Sequence, residues 1–397
     1  MLRIIFKNAS QSRSKPQSCP FFSIIARSYS QLHSQIQRPS FGIAFDIDGV
    51  VLLGNTPIGG SSQALKRLYD DCGANSAFVA LDSSRGGFHE SKRASELSEL
   101  LGVNILPSQV VQGHSPFKQL VKRFENELVI AVGKGEPAAV MSEYGFKNVL
   151  SIDEYSSCFD NIDPLAQYKK WSTKQEVDQN STLKMKNTVY SQRVQAAFVV
   201  SDSVDWSRDI QGISGTSGSM AGQSKEVLCD VLRTGGLPGR ETGHQPPLYF
   251  ANDDLEYQAA FPSERLGMGA FRIALEAIFN RIHPKALEYT SFGKPSPSVF
   301  KNAETILSQL VSSLHHNLQA ENHGNAGSHP FKTLYMIGDN PSVDINGARQ
   351  AGHPWFSILT RTGVFKGKEN HAKFPADLVV DTVEEAVDFI LTKECSS

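Results

Sequence analysis

Along this chain, short apolar runs alternate with longer stretches whose apolar positions recur at helical spacing. "GIAFDID", beginning at Gly42, reads as a strand. "SSQALKRLYDDCG" reads as a helix, with Ser61 or Ser62 placed to cap it. "SAFVALD" reads as a second strand, and "ESKRASELSELLG" as a second helix closed by Gly102. The alternation continues through "ELVIAVGKG", "PAAVMSEYGF", "AAFVVSD", "PLYFANDD" and the long helix "RLGMGAFRIALEAIFNRI". After the loop "TSFGKPSPSVF" it resumes with "FKTLYMIGDN", "PSVDINGARQAG", "PWFSILTRTG" and "ADLVVDTVEEAVDFILTK". Strands alternating with helices predict an α/β fold built on a doubly wound parallel sheet. The Gly- and Ser-rich stretches "QGISGTSGSMAGQSKE" and "RTGGLPGRETGHQPP" read as surface loops, and "LQAENHGNAGSHP" as a disordered excursion. No internal repeat is visible.

Composition narrows the class. With 397 residues and a net charge of -2, the chain is long enough for one large domain or two smaller ones, and bulk charge gives no case for nucleic acid. No apolar run approaches the roughly 18 residues a membrane span needs. The 5 cysteines are scattered, which suits free thiols in a reducing compartment rather than a disulfide frame or zinc site. Residues 1–40 are rich in Arg, Lys and Ser and contain no acid; the first acidic residue is Asp46. That is the composition of an organelle transit peptide. The segment "ARSYSQ" resembles a mitochondrial processing site, with cleavage expected after Tyr29. A disordered basic tail and a chloroplast address are the alternatives.

Asp46 and Asp48 pose the chemical question. They lie two residues apart at the end of an apolar strand, so on an extended backbone both side chains face one side and repel each other. A positive charge between them resolves the repulsion. Lys294 lies in "GKP"; Asp339 follows "LYMIG", with Asp344 further along the same segment. In a doubly wound sheet the carboxyl ends of the strands meet at one crevice, so these residues can converge. The chemistry that suits them is phosphoryl transfer through an aspartyl-phosphate, one acid attacking phosphorus and the other handling protons. Mg²⁺ suits such an all-oxygen site, with Asp339 and Asp344 completing its inner or outer shell and Lys294 neutralising phosphate oxygens. Taken singly, D-x-D is often a turn or helix cap, Gly-Asp a turn, and a loop Lys a solvated charge. Their conjunction, in this order and at predicted strand ends, carries the reading.

"FDIDGVV", "GKP" and "GDNPSVD" resemble the first, third and fourth motifs of the haloacid dehalogenase-like hydrolase superfamily, over Phe41 to about Leu391. "DGVVLLGNTPIGG", "FGKPSPSVF" and "IGDNPSVDINGARQAG" resemble its subfamily IIA, and within it the mitochondrial cat-eye-syndrome critical-region hydrolase-like group. The resemblance implies a Rossmann-like core with an inserted α/β cap of the C2 type. Residues 41–110 and 285–397 would form the core and 111–284 the cap. It implies Asp46 as nucleophile, Asp48 as acid/base, Lys294 as phosphate clamp, and Mg²⁺ held by Asp46, Asp48 (through its backbone carbonyl), Asp339 and Asp344. The second motif departs from the pattern. "DSSRGG" puts Ser83 where a Thr is usual, Ser84 at the Asn position and Arg85 at a Gly position; Ser83 keeps the hydroxyl expected to donate to phosphate.

The cap chooses the leaving group. Asn252 and Asp254 in "YFANDDLEY", and Gly133 and Gly135 in "AVGKGEP", are candidates for substrate contact; a plain tight turn also explains the glycines. Asp202 and Asp205 in "SDSVDW" read either as polar cap contacts or as loop caps. The expected function is an Mg²⁺-dependent phosphatase of a small phosphorylated metabolite in the mitochondrial matrix. Some relatives are fused to phospholipid-synthesis domains, which points toward a lipid-headgroup or glycerophosphate ester. The alternatives are a phosphotransferase and a catalytically weak or inactive binding protein, located in mitochondria, chloroplast or cytoplasm. No nucleic-acid partner and no membrane span are expected, and a homo-oligomer is left open.

Overall fold

The first apolar run forms strand β1, Phe41–Asp46, buried at every position, as expected of a strand covered on both faces. The structure is a computed structural model that describes residues 41–71, 78–82, 87–159, 189, 191–210, 227–237, 243–314 and 330–395. The expected transit segment, the expected phosphate donor Ser83 with Ser84 and Arg85, the loop at 211–226 and most of "LQAENHGNAGSHP" lie outside these residues.

After β1 a small hairpin pairs β2, Leu52–Leu53, with β3, Thr56–Pro57. Strands β4, Phe78–Asp82, and β5, Val110–Gln112, follow. The chain then builds a second sheet from β6, Leu128–Val132, β7, Asn148–Ser151, β8, Ala196–Val199, and β9, Leu248–Phe250. A two-stranded ribbon, β10 (Glu256–Tyr257) with β11 (Arg265–Leu266), precedes β12, Thr290–Ser291. Strands β13, Thr333–Gly338, β14, Trp355–Thr360, and β15, Leu378–Val380, return to the first sheet. The first sheet runs β15-β14-β13-β1-β4-β5 and the second β12-β9-β8-β6-β7, with every pairing parallel. This is the predicted α/β architecture, with β1 at the centre of a doubly wound core.

Alternation along β1 decides what covers each face. Ile43 and Phe45 point into a cluster with Leu65 and Leu68 of the helix Ser61–Asp71 and Val387 and Ile390 of the helix Val383–Cys395. Ala44 points the other way, toward Phe300, Ala303 and Leu307 of the helix Pro297–Leu314. The second sheet has its own core, in which Phe117, Phe124, Phe146 and Tyr249 surround Phe198 of β8.

Two local expectations shift. Ser61 is the first helical residue, and its hydroxyl donates to the Val51 carbonyl at 2.8 Å instead of capping. Thr290–Ser291, expected with the core segment 285–397, pairs with β9 in the second sheet; its two polar residues carry no apolar signal. Likewise, β5 extends the first sheet to Gln112. The helix Glu90–Leu101 ends as expected, with Gly102 left-handed and its N–H donating to the Ser98 carbonyl.

Candidate active site

Adjacent parallel strands β1 and β13 both end where acids begin. Past Asp46 the chain turns tightly: Gly49, at φ 89°, donates to the Leu52 carbonyl at 2.7 Å, and Val51 and Leu52 donate back to Ile47. Asp46 and Asp48 are therefore held, both buried, at the carboxyl edge of the central strand. Past β13, Asp339 leads into a π-helical turn, Pro341–Ile345, started by Asn340, whose side chain accepts from the Ser342 amide. That turn brings Asp344 back, so that its Oδ2 accepts from the amides of Asp339 at 3.2 Å and Asn340 at 3.0 Å.

Lys294, in the loop after β12, completes the cluster. Its Nζ donates to Asp46 Oδ1 and to Asp344 Oδ1, each at 2.6 Å, and the side chain is buried. Carboxylate oxygens of Asp46, Asp339 and Asp344 lie within 4.8 Å of one another. Asp48 stands outside that trio of carboxylates, on the turn beyond Asp46.

The electrostatics follow from this crowding. Burial pushes the Asp46 carboxyl well above its ordinary range; Lys294 opposes the rise, and the charges of Asp344 and Asp339 add to it. Burial and the Asp344 charge push Asp339 up to about 7, against the Val364 amide that donates to it. Lys294 is driven upward by Asp344 and Asp46 against its own burial. Among the described residues one buried ammonium, Lys294, stands among four buried carboxylates, Asp46, Asp48, Asp339 and Asp344, and a divalent cation with oxygen ligands would offset the remainder. The backbone around Asp339 suits this role: Val364 N–H donates to its Oδ2 at 2.6 Å, and Thr362 ties the same loop to the Gly49 carbonyl at 2.5 Å. A Cβ on Gly363 would lie 1.7 Å from Asp339 Oδ2, and one on Gly49 2.4 Å from it, so glycine is required at both walls of this cradle. The residues present fit Mg²⁺.

The second sheet brings its loops to the same crevice. Gly293 sits against Asn252, where a Cβ would come within 2.3 Å of the Asn252 Cα. Asp254 is buried and adds to the charge that raises Lys294; its amide donates to Asn252 Oδ1 at 3.2 Å. The loop with Gly133 and Gly135 abuts the segment after β4: Glu136 N–H donates to the Gly87 carbonyl at 2.6 Å. Lys134 Nζ reaches Asp202 Oδ2 at 2.7 Å beside this seam. Asp205, by contrast, accepts from the Arg208 amide at 3.1 Å and starts the helix Trp206–Ile210, which is a capping role.

Residues 43–147 match the family described as Haloacid dehalogenase-like hydrolase, and residues 291–386 match the HAD-hydrolase-like family. "Mitochondrial hydrolase YKR070W" of Saccharomyces cerevisiae is 30% identical over 369 residues, 90% of this chain and 97% of that protein. The chain belongs to the haloacid dehalogenase-like hydrolase family. This hydrolase is also 33% identical over 353 residues to the "Cardiolipin synthase (CMP-forming) / mitochondrial hydrolase fusion protein" of Schizosaccharomyces pombe; the match takes in 88% of this chain and only 53% of that protein. A "possible sugar phosphatase, HAD superfamily" from Cytophaga hutchinsonii shares the fold, with a TM-score of 0.56 at 16% identity over 88% of this hydrolase and 96% of that chain. A shorter stretch of 114 residues is 37% identical to the "Phospholysine phosphohistidine inorganic pyrophosphate phosphatase" of Mus musculus, covering 27% of this chain and 34% of that one. The chain is an enzyme of this hydrolase type, and among the described residues no helix is long and apolar enough to cross a membrane.

Sequence reasoning passed over the loop Thr362–Val364, which grips Asp339 and Gly49. The available signal was "TRTG" directly after a strand, a polar turn at the same sheet edge. It also passed over Glu90, which is taken up below.

Proposed function

We propose that this hydrolase is an Mg²⁺-dependent phosphatase of a small phosphorylated metabolite, working through an aspartyl-phosphate on Asp46. The observation that carries this is the gathering of Asp46, Asp339, Asp344 and Lys294 at one sheet edge. Asp46 Oδ would attack phosphorus as the ester P–O bond breaks, and the Asp48 carboxyl would give its proton to the departing oxygen. Asp48, now ionised, would take a proton from the water that attacks the aspartyl-phosphate; inorganic phosphate leaves and Asp46 is restored. Lys294 would neutralise phosphate oxygens, and Ser83 would donate its hydroxyl to them. Asp46, Asp339 and Asp344, with the Asp48 carbonyl, would hold Mg²⁺, which supplies charge neutralisation at the phosphoryl group. The loops with Asn252 and Asp254 would close the crevice against water and meet the leaving group.

The names of the relatives support a more specific reading. Mitochondrial hydrolases among them favour the mitochondrial matrix for this chain, with residues 1–40 as its address. The fusion with a cardiolipin synthase favours an ester from glycerophospholipid chemistry. The test is hydrolysis of p-nitrophenyl phosphate and a panel of metabolite phosphates by the chain lacking residues 1–29. Turnover is expected to require Mg²⁺, to stop with EDTA and to vanish in Asp46→Asn. No turnover above the Asp46→Asn background on any of these esters would replace the phosphatase with a binding protein.

A further inference from the structure

Glu90 is the first residue of the helix Glu90–Leu101 and is almost wholly buried. It stands a short step in sequence from Ser83–Gly86, through Gly87, Phe88 and His89. A carboxylate in that position needs donors; among the described residues His89 Nε2 lies 3.3 Å from its Oε2, and the three groups that donate to its Oε1 come from beyond β5. Ser115 Oγ donates to its Oε1 at 2.8 Å and Lys118 Nζ at 2.8 Å, both from the connection that leads into the second sheet. Tyr144 OH donates to the same oxygen at 2.9 Å from the end of the helix Pro137–Tyr144, which belongs to the cap.

The contacts close into a ring. The Tyr144 hydroxyl is hydrogen-bonded to His114 Nδ1 at 2.7 Å, and His114 Nε2 to Gln112 Oε1 at 3.2 Å. Gln112 Nε2 donates to the Phe88 carbonyl at 2.9 Å, and Gln112 N–H donates to Ser115 Oγ at 3.0 Å. The backbone from Phe88 to Glu90 is therefore enclosed by groups of the last core strand, the connection and the cap. Burial would push the Glu90 carboxyl up, but Lys118 and Ser115 hold it down at about 2, so the hub stays charged across the physiological range. Two exposed pairs flank the same seam, Lys92 with Glu136 and His89 with Glu143, and such pairs contribute little. The buried hub is what distinguishes this seam.

We propose that Glu90 is a positioning residue: with Tyr144, Ser115 and Lys118 it forms a clasp that locks the cap to residues 87–92 of the core, so that the cap's seat and the start of the helix Glu90–Leu101 are set together. The clasp touches neither substrate nor metal; it acts through the geometry of both walls of the crevice. Its catalytic consequence rests on the phosphatase reading above, whereas its structural consequence does not.

The variants are Glu90→Gln and Tyr144→Phe in the full chain, with Ser115→Ala as a milder substitute should either fail to fold. Deuterium uptake is read at residues 87–92 and 137–145, and kcat and KM on p-nitrophenyl phosphate with Mg²⁺. Both variants are expected to exchange faster in both segments and to lose about tenfold in kcat/KM, carried mainly by KM. The double variant is expected to lose no more than the worse single one, because both break one clasp. Unchanged uptake at 137–145 in folded variants would overturn the clasp. A fall in kcat with KM unchanged would overturn the positioning role, since that pattern reports only fewer folded molecules. If uptake rises while the unmodified chain turns over no ester, the clasp stands and the phosphatase reading falls.

Discussion

At the scale of single residues, the site is a problem of charge set by burial. Among the described residues, Lys294 is the one ammonium in contact with both Asp46 and Asp344. Truncating one member of a buried pair leaves the others uncompensated, at a typical cost of about 3–5 kcal/mol. Lys294→Met is accordingly expected to lower stability in urea unfolding at neutral pH and to cut kcat/KM by about 100-fold or more. Sterics set the second constraint. Gly363→Ala would drive a methyl into Asp339 Oδ2, so the carboxylate has to leave the Val364 amide. Its expected signature is a weakened Mg²⁺ response, seen as a rightward shift of the Mg²⁺ titration of activity by about tenfold or more, with the fold retained by circular dichroism. A titration curve superimposable on that of the unmodified enzyme would remove Asp339 from the metal site.

At the scale of elements, each sheet stands on its own core, and the connection between them packs into that of the second sheet through Phe117 and Phe124. Phe198 of β8 is fully buried, stacks on Tyr249 at 5.0 Å and meets Phe117 of the connection at 5.1 Å. Phe198→Ala is expected to cost about 3–5 kcal/mol in urea unfolding of the cap. The clasp adds a pH dependence whose sign follows from Glu90. Its folded value of about 2 lies below the ordinary 4.5, so its stabilisation is complete above 4.5 and is lost as the pH falls from there toward 2. The difference in Tm between the unmodified chain and Glu90→Gln is expected to narrow over that acid window and to stay constant above it. A gap that widens on acidification would contradict the assignment of Glu90 as the charged hub.

At the scale of the whole molecule, carboxylates at the ends of two strands are pressed together with a single ammonium, Lys294, against them among the described residues, so ligand binding and folding are linked. A divalent cation at 100 times its Kd contributes about 2.7 kcal/mol to the folded state. Mg²⁺ is expected to raise Tm relative to EDTA in the unmodified chain, and to leave Asp339→Asn unmoved; an equal rise in both would place the ion elsewhere. Legibility in the sequence differed by element for a physical reason. Strands such as β1 and β13 announce themselves because both faces are buried and the run stays largely apolar up to the acid that ends or follows it. β12 did not, because two polar residues at a sheet edge carry no period. Glu90 read as an ordinary first-turn acid of a helix, since its donors Ser115, Lys118 and Tyr144 come from elsewhere in the chain.

The order of apolar runs, the acids that end two of them and the lysine in "GKP" determined the α/β class and the set of candidate residues, because period and residue chemistry are local properties. Which oxygens share one small volume, which glycines must stay bare around Asp339, and how the cap is latched through Glu90 were decided only by the tertiary structure. Those are distances between segments far apart in the chain, and they come into being when parallel strands bring their carboxyl ends to one edge.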